Sequence, residues 1–301
     1  MRSPAETEDR HPRETATRTG GRARAGTTWL RTSDGVLIEA EHLPAADGSG
    51  HLGIVLAHGF TGSLDRPAVR RAAHRLTRSG GVVTFSFRGH GGSGGRSTVG
   101  DREVLDLDAA VRWARLLGYA RIATVGFSMG GSVVLRQAGG GGAAPVDAVV
   151  SVSSPARWYY RGTAPMRRLH WAVTRPMGRA VSRVGLRTRV EARGWDPVPC
   201  SPVEAVPLIA PAPLLIVHGD SDGYFPLDHP LSLAEAAGEG AAELWIERGF
   251  GHAENAAGPE LLDRVGQWLT SRVPAPDEEP AAVPGPGGRP AALPGGRADA
   301  P

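Results

Sequence analysis

Along the chain, short and nearly continuous apolar runs alternate with longer stretches in which apolar residues recur every three or four positions. The runs are "LGIVLAH" (52–58), "GVVTFSF" (81–87), "RIATVGF" (121–127), "VDAVVSV" (146–152), "APLLIVH" (212–218) and "AELWIER" (242–248). Strands buried on both faces of a parallel sheet read this way, because neither face meets water. Between them, Val69, Ala72, Ala73 and Leu76 share one helical face, as do Val104, Leu107, Val111, Ala114 and Leu117. A last helix is expected over about 259–272, with Pro259 in its first turn. Ahead of the alternation, "TTWLRTSDGVLIEAEHL" predicts a hairpin turning at Asp34-Gly35. The pattern as a whole predicts an α/β fold with a mostly parallel central sheet flanked by helices.

Residues 155–210 break the alternation and predict helices over the carboxyl edge of the sheet. The segment "MRRLHWAVTRPMGRAVSRVG" sets Leu169, Val173, Met177, Val181 and Val184 on one stripe, with Arg168, Arg175, Arg179 and Arg183 largely opposite. The simplest reading is a helical lid that packs its stripe over a pocket and turns its arginines to water. Recognition of an anionic substrate group or acidic carrier protein, and binding at a membrane surface, are the other readings. Residues 155–195 hold ten arginines and a single carboxylate, Glu191, with Asp196 just beyond. Trp158, Tyr159, Tyr160 and Trp171 are candidate pocket linings, with plain packing as the alternative.

Composition narrows the picture. A chain of 301 residues with 41% hydrophobic content can bury a sizeable core. Residues 1–26 and the Pro/Gly/Ala-rich 274–301 cannot offset their ordering entropy and are expected to be disordered, leaving 27–273 as the folded domain. The 34 basic residues are all Arg and meet 31 acidic ones, a net of only +3. That usage reads as the codon bias of a GC-rich genome rather than a phosphate-binding surface, so no nucleic-acid partner is expected. A lone cysteine, Cys200, rules out an intrachain disulfide. The first 26 residues carry no apolar segment and no run of 18 apolar residues occurs, so a cytoplasmic protein without integral membrane contact is expected. Histidines do not cluster at ligand spacing, and neither a metal nor a cofactor is expected.

Two stretches match G-x-S-x-G. A nucleophile elbow needs a strand running straight into a helix, so that the serine hydroxyl stands clear of the sheet. Ser128 has both neighbours, "RIATV" before it and "MGGSVVLRQA" after it, with Gly126 and Gly130 relieving the crowded turn. Ser93 sits between "RGHG" and "GRSTVGD", which is loop chemistry on both sides. The same loop matches a dinucleotide fingerprint at Gly89, Gly91 and Gly94, but no helix opens there to receive a pyrophosphate.

Five stretches together carry a resemblance to a known family: "HGF" (58–60), "RGHGGS" (88–93), "GFSMGG" (126–131), "HGDSDGYFP" (218–226) and "GFGHAE" (249–254). In order and spacing, over roughly residues 27–273, the chain resembles the α/β hydrolases, most of all their esterase, lipase and aminopeptidase-like branch. One departure is Phe87, where many relatives carry Asp or another residue, and it touches nothing catalytic. The resemblance implies that fold with a helical lid after the sixth strand, a Ser128–Asp222–His252 triad, and an oxyanion hole from the N–H groups of Phe60 and Met129. His252 alone among the histidines follows the last strand in a Gly-bounded loop. Asp222 fits the acid's place in the family pattern better than Asp220, which suits a turn. The activity implied is cofactor-independent serine hydrolysis of a carboxylic ester with an apolar acyl or alkyl group, through an acyl-enzyme. A thioesterase or aminopeptidase-like amide hydrolase would use the same residues, and a non-catalytic binding protein on this scaffold is the reading from another class.

Overall fold

The computed structural model describes residues 26–48 and 50–275. The disorder expected for 1–26 and 274–301 therefore falls, apart from Gly26, Pro274 and Ala275, outside the described residues. Eight strands form one sheet in the order β1-β2-β4-β3-β5-β6-β7-β8. Strands β1 (Thr27–Arg31) and β2 (Leu37–Leu43) make the expected hairpin, in antiparallel register from Thr27↔Glu41 to Arg31↔Leu37, and Gly35 takes the positive φ of the turn. β2 pairs antiparallel with β4 (Gly81–Phe85). From there β3 (Leu52–Ala57), β5 (Arg121–Phe127), β6 (Ala148–Val152), β7 (Leu214–Gly219) and β8 (Ala242–Glu247) continue in parallel.

Between β6 and β7 the chain leaves the sheet and builds three helices, numbered after α1 (Pro67–Leu76), α2 (Glu103–Leu116) and α3 (Met129–Arg136). They are α4 (Ala164–Thr174), α5 (Pro176–Gly185) and a short α6 (Pro202–Ala205). The single stripe expected over Leu169–Val184 is not formed. Arg175 precedes Pro176 and is driven to the extended region (φ −96°, ψ 141°), which ends α4 and starts a new helix at a different phase. Leu169 and Val173 face a cavity, whereas Met177, Val181 and Val184 face solvent. Further along, α7 (Asp228–Ala237) joins β7 to β8, and a short α8 (Ala253–Ala256) leads into α9 (Pro259–Arg272). Among the described residues, no helix is long and apolar enough to cross a membrane.

Alternation along each strand divides the core into two layers. Leu52, Ile54 and Leu56 of β3 face one side, where they pack with Val69, Ala72 and Leu76 of α1 and Leu262, Val265 and Leu269 of α9. Val55 and Ala57 face the other side, with Leu107 and Val111 of α2 and Val133 and Val134 of α3. Strands β3 to β7 are buried throughout, as their apolar runs require, except for Arg121 at the start of β5. β8 departs from that expectation: among the described residues it is the edge strand, half-buried, with one neighbour. Leu117 departs too, lying just past the end of α2 and 40% exposed, because the chain leaves helical phase there before Gly118.

Candidate active site

The carboxyl ends of four parallel strands converge on one point, where open α/β sheets place their sites. β5 ends at Phe127 and α3 begins at Met129, so one residue, Ser128, must reverse the chain. It does so at φ 51°, ψ −112°, a region that a side chain enters only when its surroundings force it. Those surroundings are the two glycines. A Cβ on Gly126 would stand 2.2 Å from the Gly130 oxygen, and one on Gly130 would stand 2.3 Å from the Ala57 oxygen. The tight turn leaves the Ser128 hydroxyl clear of the sheet.

Asp222 follows β7 and His252 follows β8. The structure brings both to Ser128: His252 Nε2 lies 2.9 Å from Ser128 Oγ, and His252 Nδ1 lies 2.8 Å from Asp222 Oδ2. The other Asp222 oxygen accepts the Tyr224 and Phe225 amides at 2.8 and 3.1 Å. Burial by itself would raise the Asp222 carboxyl. The hydrogen bond and charge of His252, together with the two amides, outweigh it and hold the group below the usual carboxylate range. Asp220 shapes the turn instead, accepting the Gly249 amide and the Ser221 hydroxyl. The Tyr224 ring stacks on His252 at 4.1 Å between centroids and fixes its plane. Ser93 lies elsewhere, buried, donating to Ser86 O and accepting the Glu39 amide.

The "HGF" loop follows β3, beside Ser128. The Phe87 amide donates to His58 Nε2, so His58 carries its proton on Nδ1 and donates it to the Gly59 carbonyl at 2.7 Å. Gly62 N–H donates to the same carbonyl at 2.9 Å. In a trans peptide this turns the Phe60 N–H to the opposite side of the plane, away from both donors. Met129 N–H is the first of α3 and has no acceptor within its helix. Burial drives His58 down to about 3, so it stays neutral and in that tautomer.

Glu254 carries no sequence signature beyond its place in "GFGHAE". Its Oε1 accepts the buried Gly59 amide at 3.0 Å, and a Cβ on Gly59 would meet its two oxygens at 3.1 and 3.2 Å. One carboxyl thus ties the His252 loop to the "HGF" loop. Burial raises it above the usual carboxylate range, against the pull of its amide donors and of His252.

A cavity of about 380 Å³ opens at Ser128. Trp158, Tyr159, Tyr160, Met166, Trp195 and Phe225 line it. Trp158 and Tyr159 both lean on Trp195, at 5.1 and 5.4 Å between ring centroids. Trp171 is not in that wall. The cavity face of α4 carries Met166, Leu169, His170 and Val173, and Trp171, about 100° round the helix from His170, points outward at 46% exposed. Glu191 is the carboxylate of the lining and turns back to its own chain, accepting the Ala192 amide at 2.7 Å. Among the described residues no group of three or more His, Cys, Asp or Glu side chains is arranged to hold a metal ion.

Sheet order, strand-end site and elbow define the α/β-hydrolase fold, and residues 54–171 match the family described as "alpha/beta hydrolase fold". The solved structures that resemble the chain include the Pyrococcus furiosus esterase Pf2001, at 23% identity over 81% of this chain and 91% of that one, with a TM-score of 0.64. The α/β hydrolase GrgF from Penicillium sp. sh18 is 21% identical over 82% and 98% of the two chains, with a TM-score of 0.62. Est1E from Butyrivibrio proteoclasticus is 18% identical over 82% and 99%, with a TM-score of 0.58. At these identities the likeness is one of fold. A search of the curated proteins gives no match.

Proposed function

We propose that the protein is a cofactor-independent serine hydrolase that cleaves carboxylic esters with an apolar acyl or alkyl group. The observation that carries this reading is the hydrogen-bonded line from Asp222 through His252 to Ser128, at the floor of a largely apolar cavity. Asp222 accepts from Nδ1–H of His252, which leaves the Nε2 lone pair directed at the Ser128 hydroxyl. Nε2 takes that proton as Oγ attacks the ester carbonyl. The oxyanion of the tetrahedral intermediate is received by the Phe60 and Met129 N–H groups, with the amino end of α3 adding its partial positive charge. The imidazolium then protonates the departing alkoxide, leaving an acyl-Ser128 ester. Water, deprotonated by the same imidazole, repeats the attack and releases the acid.

The aromatic wall suits a flat or aliphatic group, and the α4–α5 hairpin acts as the lid over it through Leu169 and Val173. An aminopeptidase would need a carboxylate aimed into the cavity for the substrate amine, and Glu191 is turned back on its own backbone. The test is labelling with a fluorophosphonate probe, followed by a panel of p-nitrophenyl esters of increasing acyl length. Wild type is expected to label and turn over esters, and Ser128→Ala to do neither. Label retained on Ser128→Ala would overturn the assignment of the nucleophile.

A further inference from the structure

The outward side of the α4–α5 hairpin combines exposed apolar side chains with exposed arginines. On α5, Met177, Val181 and Val184 stand at i, i+4 and i+7, one line along the helix, and are 69%, 50% and 83% exposed. The buried face of α5 is elsewhere, at Gly178 and Ser182. Gly178 lets the two helices touch, since a Cβ there would lie 2.3 Å from the Trp171 carbonyl oxygen. The backbone of Trp171 thus lies at the helix crossing, and its indole is 46% exposed.

Charge on this hairpin has one sign. Nine arginines fall between Arg157 and Arg189, and no Asp or Glu does. Among the described residues, the salt bridge from this stretch joins Arg157 to Asp228 of the main domain. Arg167, Arg168, Arg175, Arg183 and Arg187 are exposed and have no carboxylate partner among the described residues. A second copy of the chain, docking on this face about a two-fold axis, would set arginine against arginine. A nucleic acid would engage the guanidinium groups but leave the Met177–Val184 line against water. A surface carrying both phosphate charge and an apolar layer just beneath satisfies every feature at once.

We infer that the outward face of the α4–α5 hairpin docks on an anionic phospholipid surface, with Trp171 and the Met177–Val181–Val184 line entering the headgroup boundary and the arginines engaging lipid phosphates. This orientation leaves the cavity on the other side of α4, where Leu169 and Val173 face it. The inference does not depend on the hydrolase reading, because docking requires no turnover.

The test is co-sedimentation of the full chain with phosphatidylcholine vesicles, with and without about 30% phosphatidylglycerol, at about 0.1 M salt, where the surface field still reaches on the order of 10 Å. Wild type is expected to pellet with the anionic vesicles and to stay in solution with the neutral ones. A Met177→Asp/Val184→Asp variant and an Arg168→Gln/Arg175→Gln/Arg183→Gln variant are each expected to lower the bound fraction about tenfold or more. All five positions are exposed, so both variants should keep the wild-type melting curve and fluorophosphonate labelling. The inference is overturned if wild type stays in solution with anionic vesicles, or if either variant binds as wild type does. It is also overturned if light scattering shows a dimer that the aspartate variant dissolves, which would make the partner a second copy.

Discussion

Removing Glu254 probes how the two loops at the site hold one another. In Glu254→Ala the buried Gly59 N–H loses its acceptor at 3.0 Å. An unsatisfied buried donor costs about 1–3 kcal/mol. For a domain of this size each kcal/mol lowers Tm by about 2–4 °C, so the expected fall is about 2–12 °C. Glu254→Gln keeps an oxygen in place and removes a buried carboxyl whose charged form burial disfavours, so its Tm should stay close to wild type. Turnover separates positioning from bulk stability. Gly59 adjoins the Phe60 amide, and losing one oxyanion donor costs about 10²–10³ in kcat, which sets the ceiling for Glu254→Ala. The expected result is a loss of kcat below that ceiling with KM little changed, and substantial recovery in Glu254→Gln. The assays are differential scanning fluorimetry and steady-state hydrolysis of a soluble chromogenic ester well below the melt. Full activity and an unchanged Tm in the alanine variant would refute the reasoning, and so would equal damage by alanine and glutamine.

The same geometry gives three further expected outcomes. Asp222→Asn should leave the circular dichroism unchanged and lower ester turnover by about 10⁴, because the amide can donate to Nδ1 and turn the imidazole to the wrong tautomer. Gly130→Ala should lower stability by about 3 kcal/mol or more, since the new methyl meets the Ala57 and His58 carbonyl oxygens of a buried strand end; a melt matching wild type would contradict that placement. Burial pushes His90 down to about 4, so below its ordinary value the unfolded chain takes up a proton that the folded chain refuses. Stability from this group is present above pH 6.5 and is lost as pH falls from there toward 4. Urea titrations at pH 6.5 and pH 5 should show His90→Gln losing about 1.5 kcal/mol less than wild type across that interval.

Much of this was legible before any coordinates. Continuous apolar runs identified the parallel strands β3 to β7, because burial on both faces favours apolar residues along the whole strand. Ser128 was legible because an elbow is a local object: strand, small residues and helix lie within about ten positions of one another. The outward turn of α5 was less so. Periodicity treats 169–184 as one helix, and only the break at Arg175–Pro176 resets the phase of the second half. Trp171 was misplaced for a related reason: aromatic content says that a residue can line a cavity, while the face of the helix says whether it does.

By itself, then, the sequence determined the α/β class, the buried strands, the elbow and a short list of partners for Ser128, since these depend on local pattern and on the order of motifs along the chain. Tertiary structure alone decided which residues meet across it. Asp222 and His252 are separated by 30 positions, and His252 and Ser128 by 124, yet they lie within hydrogen-bond reach. The role of Glu254 toward Gly59, 195 positions away, has no local signature at all. Such contacts arise where parallel strands end side by side, and adjacency in a sheet is fixed by packing of the whole chain rather than by any segment of it.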